Sequence, residues 1–146
     1  MKALIQRVVS SSVEIDGNIV GKIGKGLLIF LGISVEDSEK EVMWLVDKCA
    51  NLRIFEDEHG KMNRSLIDIK GEALIISQFT LYGDSLKGRR PSFIKAARPE
   101  QAIPLYEKFI CEFRKKIAKV ETGEFGADML VDIKNDGPVT LMVETP

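Results

Sequence analysis

The stretch Leu27-Leu28-Ile29-Phe30-Leu31-Gly32-Ile33 decides the fold class, because its apolar residues follow one another without a polar face. A strand that is apolar on both sides must be covered on both sides, so this segment is predicted as a central strand. Upstream, Asp16-Gly17-Asn18 is a hairpin signal, since glycine and asparagine tolerate positive φ. Around this hairpin, alternating apolar and polar residues predict strands at 2–9, 12–15 and 18–23.

Two substantial helices are predicted. Ser38 with Glu41 forms the capping-box pattern S-x-x-E, and apolar residues recur at helical spacing from there through Ala50. Pro99 suits the first turn of a second helix that runs to about Lys119. The other segments are predicted as a short helix at 92–97 and as strands at 52–55, 65–69, 72–79, 120–125, 129–134 and 139–144.

Strands dominate, and no linker, repeat or low-complexity segment divides the chain. A length of 146 residues is common for one hydrophobic core. We therefore predict an α+β fold with a single domain spanning residues 1–146. Its architecture would be a curved, mainly antiparallel, barrel-like β-sheet with the two principal helices packed outside it.

Composition narrows the classes of protein. Basic and acidic residues number 21 and 22, a net charge of −1, which argues against a general nucleic-acid coat. The apolar run 27–33 is far shorter than the roughly 20 residues of a membrane helix, so we expect no membrane contact. Cys49 and Cys111 lie far apart, and no secretory signal precedes them. Reduced thiols in a cytoplasmic protein are therefore expected.

Histidine-dependent catalysis is not expected. The single histidine, His59, lies in an acidic, glycine-containing turn, so a Ser-His-Asp or Cys-His arrangement has no base. One histidine and two distant cysteines cannot form a zinc site, and no glycine-rich phosphate loop is present. The sequence thus predicts no metal and no cofactor. An enzyme of this kind must use backbone N–H groups, hydroxyls, amides or the substrate itself.

Two polar segments stand out against the apolar strands. Ser77-Gln78-Phe79-Thr80-Leu81-Tyr82-Gly83-Asp84 is either a pocket rim at the end of a rigid strand or a strand end that reaches water. Asn135-Asp136-Gly137-Pro138-Val139-Thr140 is either a plain turn between two terminal strands or a cis Gly-Pro element that aims two carbonyls sideways. The residues alone leave both pairs of alternatives open.

Together these segments resemble the D-aminoacyl-tRNA deacylase family, and the resemblance covers essentially the whole chain. The matching motifs are Met1-Lys2-Ala3-Leu4-Ile5-Gln6-Arg7-Val8, Leu52-Arg53-Ile54-Phe55, Gly60-Lys61-Met62-Asn63, Ser77-Gln78-Phe79-Thr80, Arg90-Pro91-Ser92-Phe93 and Gly137-Pro138-Val139-Thr140. One departure is Lys87-Gly88-Arg89, where the family pattern has Lys-Gly-Asn.

The resemblance implies a homodimer that hydrolyses D-aminoacyl-tRNA at two active sites in the subunit interface. It implies that the catalytic segment comprises Ser77, Gln78, Phe79 and Thr80. Gly137 and Pro138 would reach the pocket in trans as a cis-proline element and, with Met129, bind the substrate. Their carbonyls would hold the α-amino group and leave no room for an L side chain, so selectivity would arise by exclusion. Glycine would partly escape this filter.

Thr80 has no evident base to activate it as a nucleophile. We therefore expect backbone N–H groups near Phe79 and Thr80 to stabilise the oxyanion, while the 2′-hydroxyl of the terminal adenosine assists. The basic residues Lys87, Arg89, Arg90 and Lys95 are predicted either to contact acceptor-stem phosphates or to form a solvated loop. The run Arg114-Lys115-Lys116 is expected only to complement the dipole of a helix end.

Three alternatives compete with this reading. A non-catalytic tRNA-binding module would explain the basic loop and the missing base. A threonine-nucleophile hydrolase of small esters would trap an acyl group on Thr80. A purely structural dimer would make both polar segments incidental.

Overall fold

The fold is described by a computed structural model that covers residues 1–146. It contains eight strands and two helices: β1 Lys2–Ile15, β2 Asn18–Ile23, β3 Gly26–Gly32, α1 Glu39–Asn51, β4 Phe55–Glu56, β5 Met62–Arg64, β6 Glu72–Ser77, α2 Pro99–Arg114, β7 Val120–Thr122 and β8 Leu130–Glu144. A single 3-10 turn, Phe79–Tyr82, follows β6. Neither helix has the length and apolar character that crossing a membrane would require.

The principal sheet has the strand order β2-β1-β3-β6-β7, and β8 pairs with the free side of β1. Strand β1 is antiparallel to β2, β3 and β8, whereas β6 is parallel to β3 and β7. The sheet curls until β2 approaches β7, where a Cβ on Gly21 would lie 2.9 Å from the carbonyl oxygen of Thr122. The prediction of an α+β domain with a curved, mainly antiparallel sheet is confirmed, although the sheet is mixed.

Strand β3 is central, as its two apolar faces predicted. Leu27, Ile29 and Leu31 pack in the cluster that joins the sheet to α1 and α2. Leu28 belongs to a second cluster on the other face of the sheet, and Phe30 packs against it. Successive side chains of a strand point to opposite faces of the sheet, so one unbroken apolar run contributes residues to both hydrophobic clusters.

Helix α1 begins where its capping box predicts. The Ser38 N–H donates to Glu41 Oε2 at 2.9 Å, and the Ser38 hydroxyl accepts from the Lys40 N–H at 3.3 Å. Its buried residues, Val42, Leu45, Val46, Cys49 and Ala50, form one face against the sheet and α2.

Several predicted boundaries are wrong. Segments 2–9 and 12–15 form one continuous strand, and the strands predicted at 129–134 and 139–144 are parts of the single strand β8. The antiparallel pairing of β8 with β1 continues through residues 134–140, and its register shifts there. In place of strand 52–55 the structure has the two-residue strand Phe55–Glu56, and strand 72–79 ends at Ser77.

Three other predictions, for segments 65–69 and 92–97 and for the end of α2, are also wrong. Segment 65–69 is a series of turns, because the Ser65 N–H donates to Asp68 Oδ2 at 2.8 Å and the Asp68 N–H donates to Ser65 Oγ at 3.1 Å. Segment 92–97 is an irregular loop bridged to Ser34, not a helix. Helix α2 starts at Pro99 but ends at Arg114 instead of about Lys119.

Candidate active site

A pocket of about 290 Å³ opens at the carboxyl end of β6. It lies among the end of β6, the loop before β8 and the start of α2. Four of the predicted site residues line it: Ser77, Gln78, Phe79 and Met129. The remaining lining residues are Leu31, Ile33, Ile76, Ala97, Ala102, Phe125, Gly126, Ala127, Asp128 and Val131. The pocket is therefore mainly apolar, with its hydroxyl and amide groups concentrated on one wall.

The polar wall is held by the last hydrogen bonds of the sheet. Strand β6 ends when the Gln78 N–H donates to the carbonyl of Leu31 at 2.8 Å. The chain then turns sharply, since the Gly83 N–H donates to the carbonyl of Thr80 at 2.9 Å. As the first residues of this turn, Phe79 and Thr80 have N–H groups with no acceptor in the chain. Two free donors therefore lie beside the pocket, where they can stabilise a developing oxyanion.

Thr80 is placed next to the pocket but does not line it. Its hydroxyl accepts a hydrogen bond from Gln78 Nε2, and an amide donor cannot take a proton from a nucleophile. Burial, followed by the negative charge of Asp37, raises the pKa of Tyr82, so the nearby phenol stays protonated as well. No three His, Cys, Asp or Glu side chains converge as metal ligands.

The structure does not bring Gly137 and Pro138 to this pocket within one chain. Across the sheet, Ser77 on β6 pairs with Leu31, Leu31 pairs with Ala3, and Ala3 pairs with Val143 on β8. Val143 is therefore the residue of β8 that lies level with Ser77. Pro138 lies between Thr140, which pairs with Gln6, and Asn135, which pairs with Val8. It is thus about four residues of β1 away from the row of Ala3, about 13 Å at ~3.3 Å per residue. It is also three strands away from β6. The Gly137–Pro138 peptide bond is cis.

A buried arginine that the sequence reasoning missed anchors the Gly-Pro segment. Arg7 is 4% exposed, and its Nη1 donates to the carbonyl of Ile54 at 2.7 Å. Its Nε lies 3.0 Å from Asp136 Oδ2, and Asn135 Nδ2 donates to the Arg7 carbonyl at 2.9 Å. A charged residue directly before the apolar pair Val8-Val9 was the available signal, because a charge that is buried needs partners.

The predicted RNA-binding residues lie on one exposed loop at the same edge of the sheet. Lys87, Arg89, Arg90 and Lys95 are all exposed, and none of them forms an ion pair. Two hydrogen bonds of 2.8 Å between the backbones of Asp84 and Ser92 close the part of the loop that holds Lys87, Arg89 and Arg90, and Lys95 follows directly after it. These cations are therefore free to meet an anionic partner near the pocket.

An aromatic pair joins this basic loop to the pocket. The rings of Phe79 and Phe93 meet edge to face, with centroids 5.2 Å apart. Phe79 is 56% exposed although it lines the pocket. A Cβ on Gly83 would lie 2.9 Å from the Phe93 ring, so glycine at this position permits the approach.

Comparison with known proteins identifies the family of this chain. The family model described as D-Tyr-tRNA(Tyr) deacylase matches residues 4–144. A D-aminoacyl-tRNA deacylase of Clostridium kluyveri is 61% identical over 145 residues, covering 99% of this chain and 97% of that protein. One from Clostridium botulinum is 58% identical with the same coverage.

Two solved structures share the fold. The protein titled c-Myc DNA Unwinding Element Binding Protein superposes with a TM-score of 0.95 at 46% identity, covering 100% of this chain and 99% of that chain. A probable eukaryotic D-amino acid tRNA deacylase superposes with a TM-score of 0.84 at 18% identity, covering 97% of both chains. The resemblance read from the sequence is thus confirmed: the chain belongs to the D-Tyr-tRNA(Tyr) deacylase family.

Proposed function

We propose that this chain hydrolyses the ester bond between a D-amino acid and tRNA, releasing the free amino acid and the free tRNA. The observation that carries the proposal is the pair of unpartnered N–H groups on Phe79 and Thr80, at the end of a rigid strand and beside the pocket. Family membership supports the substrate class.

In the proposed reaction, water adds to the ester carbonyl and the resulting oxyanion accepts hydrogen bonds from the Phe79 and Thr80 N–H groups. Collapse of this intermediate breaks the bond to the ribose oxygen, which leaves as the alcohol. The 2′-hydroxyl of the terminal adenosine assists from the substrate side, where proximity makes it effective. Such fixed donors contribute several kcal/mol when water is excluded.

Thr80 supports the turn and is not the nucleophile in this mechanism. The Thr80→Ala variant keeps the backbone N–H, so it should retain at least about a tenth of the wild-type kcat, well short of the 10²–10³-fold losses that follow removal of an oxyanion donor. Single-turnover hydrolysis measures this directly. Complete loss of activity, or an acyl group trapped on Thr80, would favour the threonine-nucleophile alternative.

We further propose that the working unit is a homodimer in which each pocket is completed by the partner's Gly137 and Pro138. In one chain these residues lie far from the pocket. The neighbouring surface of β1 and β8 exposes apolar residues that a second copy would cover: Val9, Leu130, Ile133 and Met142, with Leu130 exposed by 71%. In addition, β8 is an edge strand of the sheet, a feature that favours association between chains.

Selection against L-amino acids follows from this composite site. The carbonyls of Gly137 and Pro138 would bind the α-amino group and approach the α-carbon on the side that an L side chain needs. Met129 lines the pocket within the same chain and would contact the substrate. Glycine has no side chain to exclude, so glycyl-tRNA should be cleaved more readily than esters of L-amino acids.

The basic loop would position the tRNA without reading its sequence. Contacts from Lys87, Arg89, Arg90 and Lys95 to acceptor-stem phosphates place the ester at the pocket and suit an enzyme acting on many tRNAs. We place this activity in the cytoplasm, where aminoacyl-tRNA is made and used.

The first experiment compares hydrolysis of D-tyrosyl-tRNA and L-tyrosyl-tRNA by the purified protein with a chelator present. Rapid loss of the D ester alone is expected. If the folded protein cleaves neither ester but still binds tRNA, the deacylase proposal is replaced by that of a non-catalytic tRNA-binding module. The basic loop, and a structural relative titled as a DNA-binding protein, give that alternative its support.

A mixing experiment tests the in-trans arrangement. Gln78→Ala and Pro138→Ala damage opposite halves of each site, so each homodimer should be inactive. After unfolding and refolding together, half of the dimers are mixed and each has one intact site, which restores about a quarter of the wild-type activity. Absence of restored activity, with mixed dimers demonstrated by mass, would overturn the in-trans arrangement.

A further inference from the structure

A second basic region lies at the amino end of β6, at the edge of the sheet opposite the pocket. Here a cleft of about 310 Å³ is lined by Lys70, Lys116 and Lys119, with Glu72 as the one carboxylate; its other residues are Ile67, Gly71, Ile117 and Ala118. We call this region the basal cleft. It gathers lysines from two separate segments of a chain whose net charge is −1.

The backbone of β6 fixes a fourth lysine beside the cleft. The Glu72 N–H donates to the carbonyl of Lys25, and the Ala73 N–H donates to the carbonyl of Lys119, both at 3.1 Å. Glu72 Oε2 also accepts from the Gly24 N–H at 2.7 Å. Three segments that are remote in sequence are therefore held at one place by strand hydrogen bonds.

The positive charge of the basal cleft is only partly neutralised. Lys119 lies 3.3 Å from Glu72, and Lys116 lies 3.3 Å from Asp47. Lys25 and Lys70 form no ion pair, and both side chains are exposed. Exposed ion pairs of this kind are weak because water solvates both charges, so an incoming phosphate can replace the carboxylates.

Lys70 occupies a backbone position that a lysine does not favour. Its φ is +52°, in the left-handed region where glycine and asparagine are the usual residues. The turn is tight against the core, because a Cβ on the next residue, Gly71, would lie 2.6 Å from Leu66 Cδ1. A lysine held here against its conformational preference points to a role for its charge.

We propose that the basal cleft binds backbone phosphates of the tRNA whose acceptor end is in an active site. The inference rests on the proposed function, since it assigns a second contact to the same substrate. Glu72 and Ser77 are separated by five residues of strand, about 17 Å. An RNA helix presents phosphates along its whole length, so one tRNA can meet both this cleft and an active site.

The test measures binding of deacylated tRNA to the full-length protein between 50 and 300 mM salt, roughly the range over which phosphate contacts dominate. The variants are Lys70→Asn and Lys25→Gln/Lys70→Asn, because asparagine tolerates the left-handed backbone. Lys61→Asn is the matched control, since it removes the same charge from the exposed, acidic turn before β5. Circular dichroism and urea unfolding verify that each variant is folded.

The slope of log Kobs against log salt should fall by about 1 for Lys70→Asn and about 2 for the double variant, and stay unchanged for Lys61→Asn. In hydrolysis of D-tyrosyl-tRNA, KM should rise several-fold while kcat is unchanged, because the cleft is remote from the ester.

Unchanged slopes and unchanged KM in both variants would overturn the proposal while leaving the deacylase function intact. Failure of the wild-type protein to cleave the ester would instead remove the proposed function. Inorganic phosphate serves as the second probe. Saturable phosphate binding that depends on Lys70, with an unaltered tRNA slope, would assign the cleft to a free anion and overturn the RNA assignment.

Discussion

Replacing Arg7 with methionine should destabilise the fold more than any nearby surface change. The guanidinium is 4% exposed and makes a 2.7 Å hydrogen bond to the carbonyl of Ile54. A hydrogen bond from a charged donor contributes about 1.5–3 kcal/mol, and the carbonyl would lose this partner. Methionine keeps much of the side-chain length, so loss of packing adds little.

The ion pair with Asp136 adds a smaller amount. Asp136 has 43% of its side chain exposed, and water can solvate it once Arg7 is gone. The Nε atom of Arg7 is also without a well-aligned hydrogen bond, although it lies 3.0 Å from the carboxylate. We therefore assign this pair no more than about 1 kcal/mol. The total expected for Arg7→Met is a loss of about 1.5–4 kcal/mol in the free energy of unfolding.

Urea unfolding at one fixed protomer concentration measures this loss, because the stability of a dimer depends on concentration. Asp136→Asn is the control and should cost no more than about 1 kcal/mol; the double variant gives the coupling between the two residues. In the same preparations, Arg7→Met should lower discrimination between D- and L-tyrosyl-tRNA, since it releases the Gly137–Pro138 segment. A loss below about 0.5 kcal/mol, with selectivity intact, would refute the reasoning.

Three further predictions concern the scaffold. Ser38→Ala should cost about 1 kcal/mol as an N-cap. The hydrogen bonds from Ser38 lower the pKa of Glu41 from its usual 4.5. The difference in unfolding free energy between the wild type and Ser38→Ala should therefore be present at neutral pH. It should shrink when urea unfolding is measured at acid pH, where Glu41 is protonated. Gly26→Ala places a Cβ inside the backbone of β6 and should cost at least about 3 kcal/mol; wild-type stability in urea would contradict it. Burial raises the pKa of Cys49 to about 12, whereas Cys111 is exposed, so a thiol reagent should modify one cysteine in native protein and two in denaturant.

Local chemistry in the sequence determined much of the fold. Three local signals predicted their elements correctly. They are the apolar run at 27–33 for the central strand, the turn at 16–18 for the hairpin, and the capping box at Ser38 for the start of α1. These signals succeeded because the residues that form them are neighbours in the chain. The predicted polar segment lines a pocket for the same reason, since Ser77, Gln78 and Phe79 are consecutive, and its catalytic role stays a prediction.

Only the tertiary structure decided where remote segments meet. Sequence periodicity could not show that β6 lies parallel to β3, that β8 runs through the predicted turn, or that segment 65–69 satisfies its own backbone. It also gave no role to Arg7, whose partners lie 47 residues away at Ile54 and further still at Asp136. Likewise, the sequence predicted only a helix-end role for Lys116, whereas the fold places it in one cleft with Lys70 and Lys119. The physical reason is that burial and charge are properties of the three-dimensional neighbourhood, which strand pairing creates and chain order does not contain.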